Sequence, residues 1–441
     1  MSSEALARSI VARLRAAGHQ AYLVGGCVRD LLLGRTPKDF DVATDARPDR
    51  ISELFERSEQ VGAHFGVVLV RENTAQVEVA TFRSDASYSD GRRPDAVSFE
   101  ADARQDVLRR DFTVNALLLD PETDEVLDFA GGREDLGRGV IRAIGNPELR
   151  FREDHLRLIR AVRFAARLGF AIEPETMAAL RRLHGLIALV SPERVRDELT
   201  RILTEGGARR GFELLDETGL LGDILPEVAA MKGVAQPPEF HPEGDVWTHT
   251  LLLLEKLQDP TVTLATGALL HDVGKPPTFR VAERIRFDGH VEEGVRMARG
   301  ILTRLHFPSK EIEQIDALIA QHMRFKDVGQ MRESTLKRFL RMENFPEHLE
   351  LHRLDCLASH CKLDSYKLVL ARLAELGQEE LRPTPLVTGR DLIEAGYQPG
   401  PAFAKMLAAV EDAQLEKRLS SKEEALALVR AEFGEPVKGG S

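Results

Sequence analysis

The chain has 441 residues, 43% of them hydrophobic and 30% charged, which is enough for several globular domains. A net charge of −11 excludes a uniformly polyanion-binding surface, so any contact with nucleic acid needs a local basic patch. Three cysteines (Cys27, Cys356, Cys361) are too few for a disulfide framework, and no apolar run approaches about 18 residues, so the expectation is a soluble cytoplasmic protein with no membrane partner.

In chain order, residues 1 to about 18 read as an amphipathic helix ending at Gly18. An apolar, β-prone run, Tyr22-Leu23-Val24, then reaches Gly25 and Gly26, followed by a helix-like segment carrying Arg29 and Asp30 that breaks at Gly34. Without a Cβ at the two glycines, backbone N–H groups at the helix start can face phosphate oxygens, and Arg29 can add a fork of donors. Asp39-Phe40-Asp41 follows in front of Val42. In an extended chain residues i and i+2 share a face, so Asp39 and Asp41 can meet on a pair of hard cations such as Mg²⁺. A glycine cradle followed by an Asp-x-Asp pair describes a nucleotidyl-transfer site with these two aspartates catalytic.

The run GGCVRDLLLGRTPKDFDVAT, residues 25 to 44, resembles the signature of the class II nucleotidyltransferases of the polymerase-β superfamily. That group comprises the bacterial and eukaryotic tRNA CCA-adding enzymes and the bacterial poly(A) polymerases. Downstream, Asp49 to Arg57 reads as a helix, and VVLV (67 to 70) and QVEVATF (76 to 82) as strands around a turn at Glu72-Asn73. Ser84 to Asp106 reads as a long polar loop, either disordered or functional. FTVNALLLD (112 to 120) and EVLDF (125 to 129) return to strand character, so the first 145 residues form one α/β domain with a small mixed sheet. Arg109 to Ala116 resembles the family's RRDFTxNA motif, which implies that Arg110 and Asp111 hold the phosphates and ribose of a nucleotide, with Asn115 bracing the motif.

From Ile141 strand signals fade and arginines appear at helical spacing. Residues 141 to 210 hold fourteen arginines against nine acidic residues, a locally basic region where a phosphate backbone would lie. Ser191-Pro192-Glu193 reads as a helix start. Phe151 to Arg163 reads as one helix in which Asp154, Arg157, Arg160 and Arg163 follow each other at i, i+3. Cytosine and adenine both present an amino donor beside a ring-nitrogen acceptor, which a carboxylate next to a guanidinium complements. Guanine and uracil present the opposite order and leave polar groups unpaired. The segment resembles the family's EDxxR element, implying Asp154 and Arg157 as base readers, with Arg160 and Arg163 supplying phosphate or stacking contacts and Glu153 structural. The full-length Asp90–Pro94 loop (DGRRP) resembles that of CCA-adding members and argues against CC-only addition.

Proline-rich residues 235 to 244 mark a boundary before a helical, histidine-containing region that runs to about residue 375, followed by a C-terminal helix pair (390 to 432). His249, the His271-Asp272 pair on a helix ending at Gly274, and Asp355 have the order H…HD…D, with His290 and His322 available to a second metal. Lys275 is a candidate phosphate contact. The pattern resembles the HD phosphohydrolase superfamily and implies metal-activated water attacking a phosphoester, or a metal-stabilised scaffold, with Mg, Mn, Ni or Fe as the divalent ion.

These readings together predict an α+β protein. It has a polymerase-β-like head with a small mixed sheet (1–145), an all-α nucleotide-selecting and RNA-binding neck (146–232), an HD domain (233–378) and a C-terminal helical tail (379–441). The expected activity is Mg²⁺-dependent addition of CCA to tRNA from CTP and ATP. The alternatives are a poly(A) polymerase, an A-only enzyme and, from another class, an RNA-binding metal-dependent phosphohydrolase.

Overall fold

The computed structural model describes residues 1–61, 66–85, 91, 97–99, 101–239 and 241–436. Helix α1 (Ser3–Ala16) starts at Ser2, whose hydroxyl accepts from the Ala5 N–H, and buries Leu6, Ile10, Val11 and Leu14, an i, i+4 stripe, on one face of a sheet. That sheet has seven strands in the order β3-β4-β5-β2-β1-β8-β9. They are β1 (Ala21–Val24), β2 (Asp41–Thr44), β3 (Ser58–Gln60), β4 (Val67–Glu72), β5 (Ala75–Thr81), β8 (Leu117–Leu119) and β9 (Val126–Asp128). Between β5 and β8 lies a short pair, β6 (Arg83–Asp85) with β7 (Val97–Phe99). Only β2 and β5 run parallel in the main sheet, pairing Asp41 with Glu78. Its other ladders are antiparallel. The sheet is thus mixed, as expected, and its second face packs Val24, Ala43, Phe82, Leu118 and Ile144 with Ala103 and Val107 of α4 (Ala103–Leu108).

Helix α2 (Gly26–Leu32) follows β1, and α3 (Pro48–Leu54) follows β2, shorter than the expected Asp49 to Arg57 because Ser58–Gln60 is drawn into the sheet. The polar segment from Ser84 to Asp106 contains the β6–β7 pair and α4, and of the Asp90–Pro94 loop only Gly91 lies among the described residues. The apolar run from Phe112 to Asp120 is strand only over Leu117–Leu119, because Thr113–Asn115 turns as 3₁₀ helix.

The neck begins after α5 (Gly132–Arg138). Instead of one helix through Phe151 to Arg163 there are two, α6 (Pro147–Glu153) and α7 (Arg157–Leu168). The break falls at Asp154, which is extended (φ −140, ψ 106). Its carboxylate accepts from the Leu156 N–H at 3.1 Å, a local bond that competes with helix continuation. Expected strand loss here has one exception, the two-residue parallel pair β10 (Val140–Ile141) with β11 (Ala171–Ile172). Helices α8 (Pro174–Leu183), α9 (Pro192–Thr204) and α10 (Ala208–Thr218) follow, with Ser191 and Pro192 opening α9 as read from the sequence. Met1–Lys232, Leu257–Val262 and Gly300–Pro308 form one compact unit, and Gly233–Lys256, Thr263–Arg299 and Ser309–Ser441 a second.

In the second unit the helices Val246–Glu255, Val262–Leu270, Ser309–Gln321 and Phe345–Ala358 carry the histidine cluster described below. A separate core joins Phe325, Phe339, Leu340, Phe345 and Val369. The C-terminal region has three helices rather than a pair, Gly389–Glu394, Pro401–Leu415 and Lys422–Phe433, closed on Leu392, Val410, Ala425 and Val429. Among the described residues no helix is long and apolar enough to cross a membrane.

Gly207 starts α10 with φ +75, and a Cβ there would lie 2.4 Å from the Ala166 carbonyl oxygen of α7. Gly207→Ala is expected to destabilise the unit holding α7 by about 2 kcal/mol or more. Gly185→Ala, where an added Cβ meets nothing within 4 Å, serves as the control, and chemical denaturation compares the two.

Candidate active site and candidate metal centre

In the first unit a cleft of about 430 Å³ opens beside the turn after β1. It is lined by Gly25, Gly26, Asn115 and Phe164, by eight arginines (29, 109, 110, 157, 160, 163, 167 and 201) and by three aspartates (41, 111 and 154). Such a surplus of guanidinium suits a polyanion of the charge of a triphosphate. Gly25 adopts φ +78, which ends β1 abruptly and turns the first N–H groups of α2 toward the cleft. A Cβ there would lie 3.4 Å from Arg110 Nη1. Arg110 itself is anchored by the buried Asp106 carboxylate at 3.0 Å, while its buried Nε has no hydrogen-bond partner.

Asp41 opens β2 in the cleft wall, and Asp39 stands two residues earlier, exposed at the entry to the strand. Burial, the Glu78 carboxylate and the Asp39 carboxylate together push Asp41 up to about 6, against the pull of Arg110. Glu78 is a residue that sequence reasoning missed. It occupies an exposed position in the alternation of β5, and only the parallel β2–β5 register brings it opposite Asp41. An Asp41 carboxyl crowded by two neighbouring carboxylates is a site whose repulsion a divalent cation relieves.

Arg29 differs from expectation. It is buried at 2% exposure, with Nε on Asp30 Oδ1 (2.8 Å), Nη2 on the same oxygen (2.7 Å) and Nη1 on Asn115 Oδ1 (2.5 Å). Three of its five N–H groups are taken by these neighbours, so it braces the turn and adds charge to the cleft floor. Asp111 differs too. Its Oδ1 accepts from the Phe112 N–H (2.8 Å) and Asn115 Nδ2 (3.2 Å), and its Oδ2 from Arg160 Nε (2.9 Å) and Nη2 (2.6 Å). Burial opposes its ionisation, yet the Arg160 guanidinium wins and holds Asp111 down to about 2. With four hydrogen bonds its two oxygens are saturated, so it has no lone pair left for a ribose hydroxyl. Asn115 does brace this motif.

Asp154 and Arg157 both line the cleft but do not pair with each other. Arg194 Nη2 of α9 holds both Asp154 oxygens, at 3.2 and 3.1 Å. Arg157 Nη1 donates to Glu153 Oε2 (2.6 Å) and the Arg150 carbonyl, and Nη2 to the Arg109 carbonyl. Glu153 is thus the structural partner expected of it. Arg163 lies over the Phe164 ring at 4.3 Å and pairs with the buried Glu198 at 2.6 Å, which draws it into the α7–α9 packing. The Gly91 carbonyl accepts from the His155 N–H, next to Asp154.

In the second unit His249, His271, Asp272, His290, His322 and Asp355 come together. His271 and Asp272 sit in the turn beyond Leu270 rather than on the helix, which frees both to face inward. The ligand atoms of His249, His271 and Asp355 form one group, and those of Asp272, His290 and His322 another. The four histidines share one arrangement. Nδ1 donates to an oxygen, that of Glu243 for His249 (2.7 Å), Ala268 for His271 (2.9 Å), Phe287 for His290 (2.9 Å) and Ile319 for His322 (2.7 Å). Nε2 is left for the centre of the cluster. Nε2 of His290 and Oδ1 of Asp272 are buried without hydrogen-bond partners, and Nε2 of His249 and His271 lie 3.1 and 3.2 Å from oxygens of Asp355 and Asp272, a convergence of ligand atoms that fits a cation between them. Lys275 Nζ reaches Asp272 Oδ2 at 2.7 Å and Gln236 at 2.7 Å, so it works as a countercharge to the cluster. Burial disfavours the charged form of His249, but Asp355 and Glu243 beside it raise it to about 9. Glu243 lay in the segment read as a boundary, so its role had no sequence signal. The adjoining pocket, about 640 Å³, is also lined by Arg284, Arg286, Phe287 and Lys326.

A glycine turn, clustered carboxylates on a mixed sheet and an arginine-rich helical neck define a nucleotidyltransferase head, and the histidine–aspartate cluster defines an HD domain. Comparison with known proteins agrees. Residues 21–142 match the Poly A polymerase head domain, 169–232 the probable RNA and SrmB-binding site of polymerase A, and 245–357 the HD domain. The CC-adding tRNA nucleotidyltransferase of Thermus thermophilus is 34% identical over 423 residues, covering 93% of each chain. The CCA-adding enzyme of Lactobacillus johnsonii is 38% identical over 254 residues, where the chain spans 64% of that relative's length, just under two thirds. The crystal structure of the Bacillus stearothermophilus CCA-adding enzyme in complex with CTP superposes with a TM-score of 0.75 at 28% identity, over 97% of this chain and 98% of that one. The chain belongs to the tRNA nucleotidyltransferase family, in the group that carries the poly(A) polymerase-type head together with an HD domain.

If the two ligand groups hold separate ions, Asp272→Ala, His290→Ala or His322→Ala will each lower the content from about two ions per chain to about one, and Asp272→Ala combined with Asp355→Ala will remove both. Elemental analysis of protein equilibrated with Mn²⁺ measures this.

Proposed function

We propose that the chain adds nucleotides to the 3′ end of tRNA, building CCA from CTP and ATP without a nucleic-acid template, in the cytoplasm. The observation that carries the reading is the cleft itself, in which Asp41 with its carboxylate neighbours faces Arg110 across the Gly25 turn while Asp154 and Arg157 occupy the same walls. The full-length family relationship and the likeness to a CTP-bound CCA-adding enzyme support it.

In this reading residues 1–145 form the transferring head and 146–232 the selecting and RNA-binding neck. Asp39 and Asp41, joined by Glu78, hold Mg²⁺, which when bound activates the terminal RNA hydroxyl and offsets charge on the departing pyrophosphate. Gly25 and Gly26 bring backbone N–H groups to the triphosphate, and Arg110, with its spare Nε, supplies charge beside them. Arg160, tied to Asp111, keeps the neck against the head so that the base lies within reach of Asp154 and Arg157. Asp154 accepts from the amino group of C or A, and Arg157 donates to the adjacent ring nitrogen. The HD domain (233–378), ahead of a C-terminal tail (379–441), holds divalent metal in its own cluster, where the bound ion would supply a hydroxide for phosphoester hydrolysis. Lys275, Arg284 and Arg286 line the pocket where the phosphate would sit.

A second reading is favoured by one observation: the relative matched over 93% of its length is named a CC-adding enzyme, so a two-nucleotide product is the alternative outcome. Incubating the protein with tRNA that ends before CCA, together with CTP and ATP, distinguishes the cases. Arrest after three residues supports CCA addition, arrest after two supports CC addition, and long A tracts made without CTP overturn both. Asp39→Ala and Asp41→Ala are each expected to lower the transfer rate by about a thousandfold or more.

The Asp41 shift gives a pH dependence. A carboxyl raised to about 6 is protonated, and unable to bind metal, below that pH. At limiting Mg²⁺ the transfer rate should therefore fall as pH drops through about 6. Added Mg²⁺ competes with the proton and should move the midpoint lower, as initial rates over a pH and Mg²⁺ grid would record.

A further inference from the structure

Asp154 and Arg157 have the spacing of a salt-bridged pair, yet each is held by a different partner. Arg157 is fixed by Glu153 and by two main-chain carbonyls, those of Arg150 and Arg109. Asp154 is fixed by Arg194, which approaches from α9 and donates one nitrogen to both carboxylate oxygens. Counting donors and acceptors shows what this leaves. Asp154 Oδ1 accepts from the Leu156 N–H and Arg194, whereas Oδ2 accepts from Arg194 alone and keeps a lone pair. Arg157 uses both Nη1 hydrogens and one on Nη2, so Nε–H and the second Nη2–H remain.

We propose that Arg194 is a positioning residue for nucleotide selection: by holding the Asp154 carboxylate toward α9 it keeps Asp154 from pairing with Arg157 and so keeps one acceptor beside one donor open to a base. The inference rests on the reading of Asp154 and Arg157 as base readers and adds the residue that keeps them apart. Asp154 lies in extended backbone between α6 and α7, where no helix geometry sets its side-chain direction. Once the Arg194 cation is gone, the guanidinium of Arg157, three residues along and lining the same cleft, is left to compete for the Asp154 carboxylate. A pair formed between them consumes the acceptor and the donor together, and the reader closes on itself. Arg194 is partly exposed, and a methionine in its place keeps much of the side-chain length, so Arg194→Met removes the charge while filling most of the same space.

The test uses the full-length protein with tRNA lacking CCA and measures kcat and KM for each of CTP, ATP, UTP and GTP with wild type, Asp154→Asn, Arg194→Met, Arg194→Lys and the Asp154→Asn/Arg194→Met double variant. Thermal unfolding of each variant accompanies the kinetics. Arg194→Met is expected to raise KM for CTP about tenfold with a smaller change in kcat, and to lower the preference for CTP over UTP by a similar factor. Arg194→Lys should restore part of both, since it supplies the charge at a single point. The double variant should be no worse than Asp154→Asn alone, because a residue that acts through Asp154 has nothing left to position.

Additive losses in the double variant, or unchanged nucleotide preference in a folded Arg194→Met protein, overturn the inference while leaving the base-reading assignment in place. Unchanged preference in Asp154→Asn removes that assignment, and the inference with it.

Discussion

The contact on which the candidate site depends is the ion pair between Asp111 and Arg160. Asp111 belongs to the sheet-bearing head and Arg160 to α7 of the neck, and the pair closes at 2.6 Å with Asp111 almost fully buried. A carboxylate withdrawn from water this far stays ionised only if its oxygens are met, and here four donors meet them. The consequence is geometric: one residue ties the turn after β1, through Asn115 and Arg29, to the first turns of α7. Breaking that tie would leave a buried charge without a partner, so the two halves of the cleft are locked at a defined separation.

Much of this was legible in the sequence, and the parts that were not have physical reasons. Strand, glycine turn and helix from Tyr22 to Gly34 follow from local propensity and from the freedom of Gly25 at positive φ, and both lie within a few residues of one another. The HD residues could be named because a His-Asp pair with distant histidines is rare, although their position beyond the helix end depended on where Leu270 is buried. The division of Phe151 to Arg163 into two helices escaped notice because periodicity in apolar and charged residues continues across the break. At the break two main-chain N–H groups are diverted from helix bonding, that of Leu156 to the Asp154 carboxylate and that of His155 to the Gly91 carbonyl.

The residues missed share a cause. Glu78 meets Asp41 through parallel strand register, Arg194 meets Asp154 across 40 positions, and Glu243 orients His249 from a proline-rich connection. The first two partners are brought together by tertiary packing and leave no spacing to read, and Glu243, only six residues before His249, lies outside any helix whose period would have paired them. Conversely Asp111 carried the right chemistry for ligand contact but spends it all on its neighbours, and Arg29 spends three of its five donors there, which only the hydrogen-bond count reveals.

The histidine cluster carries a consequence of its own. Its carboxylates, the buried Asp272 with the part-exposed Asp355 and with Glu243, face Lys275 and the His249 ring, which hold them in place. With each imidazole already anchored through Nδ1, the four rings need no rearrangement to receive a cation, and the cluster is a preset socket.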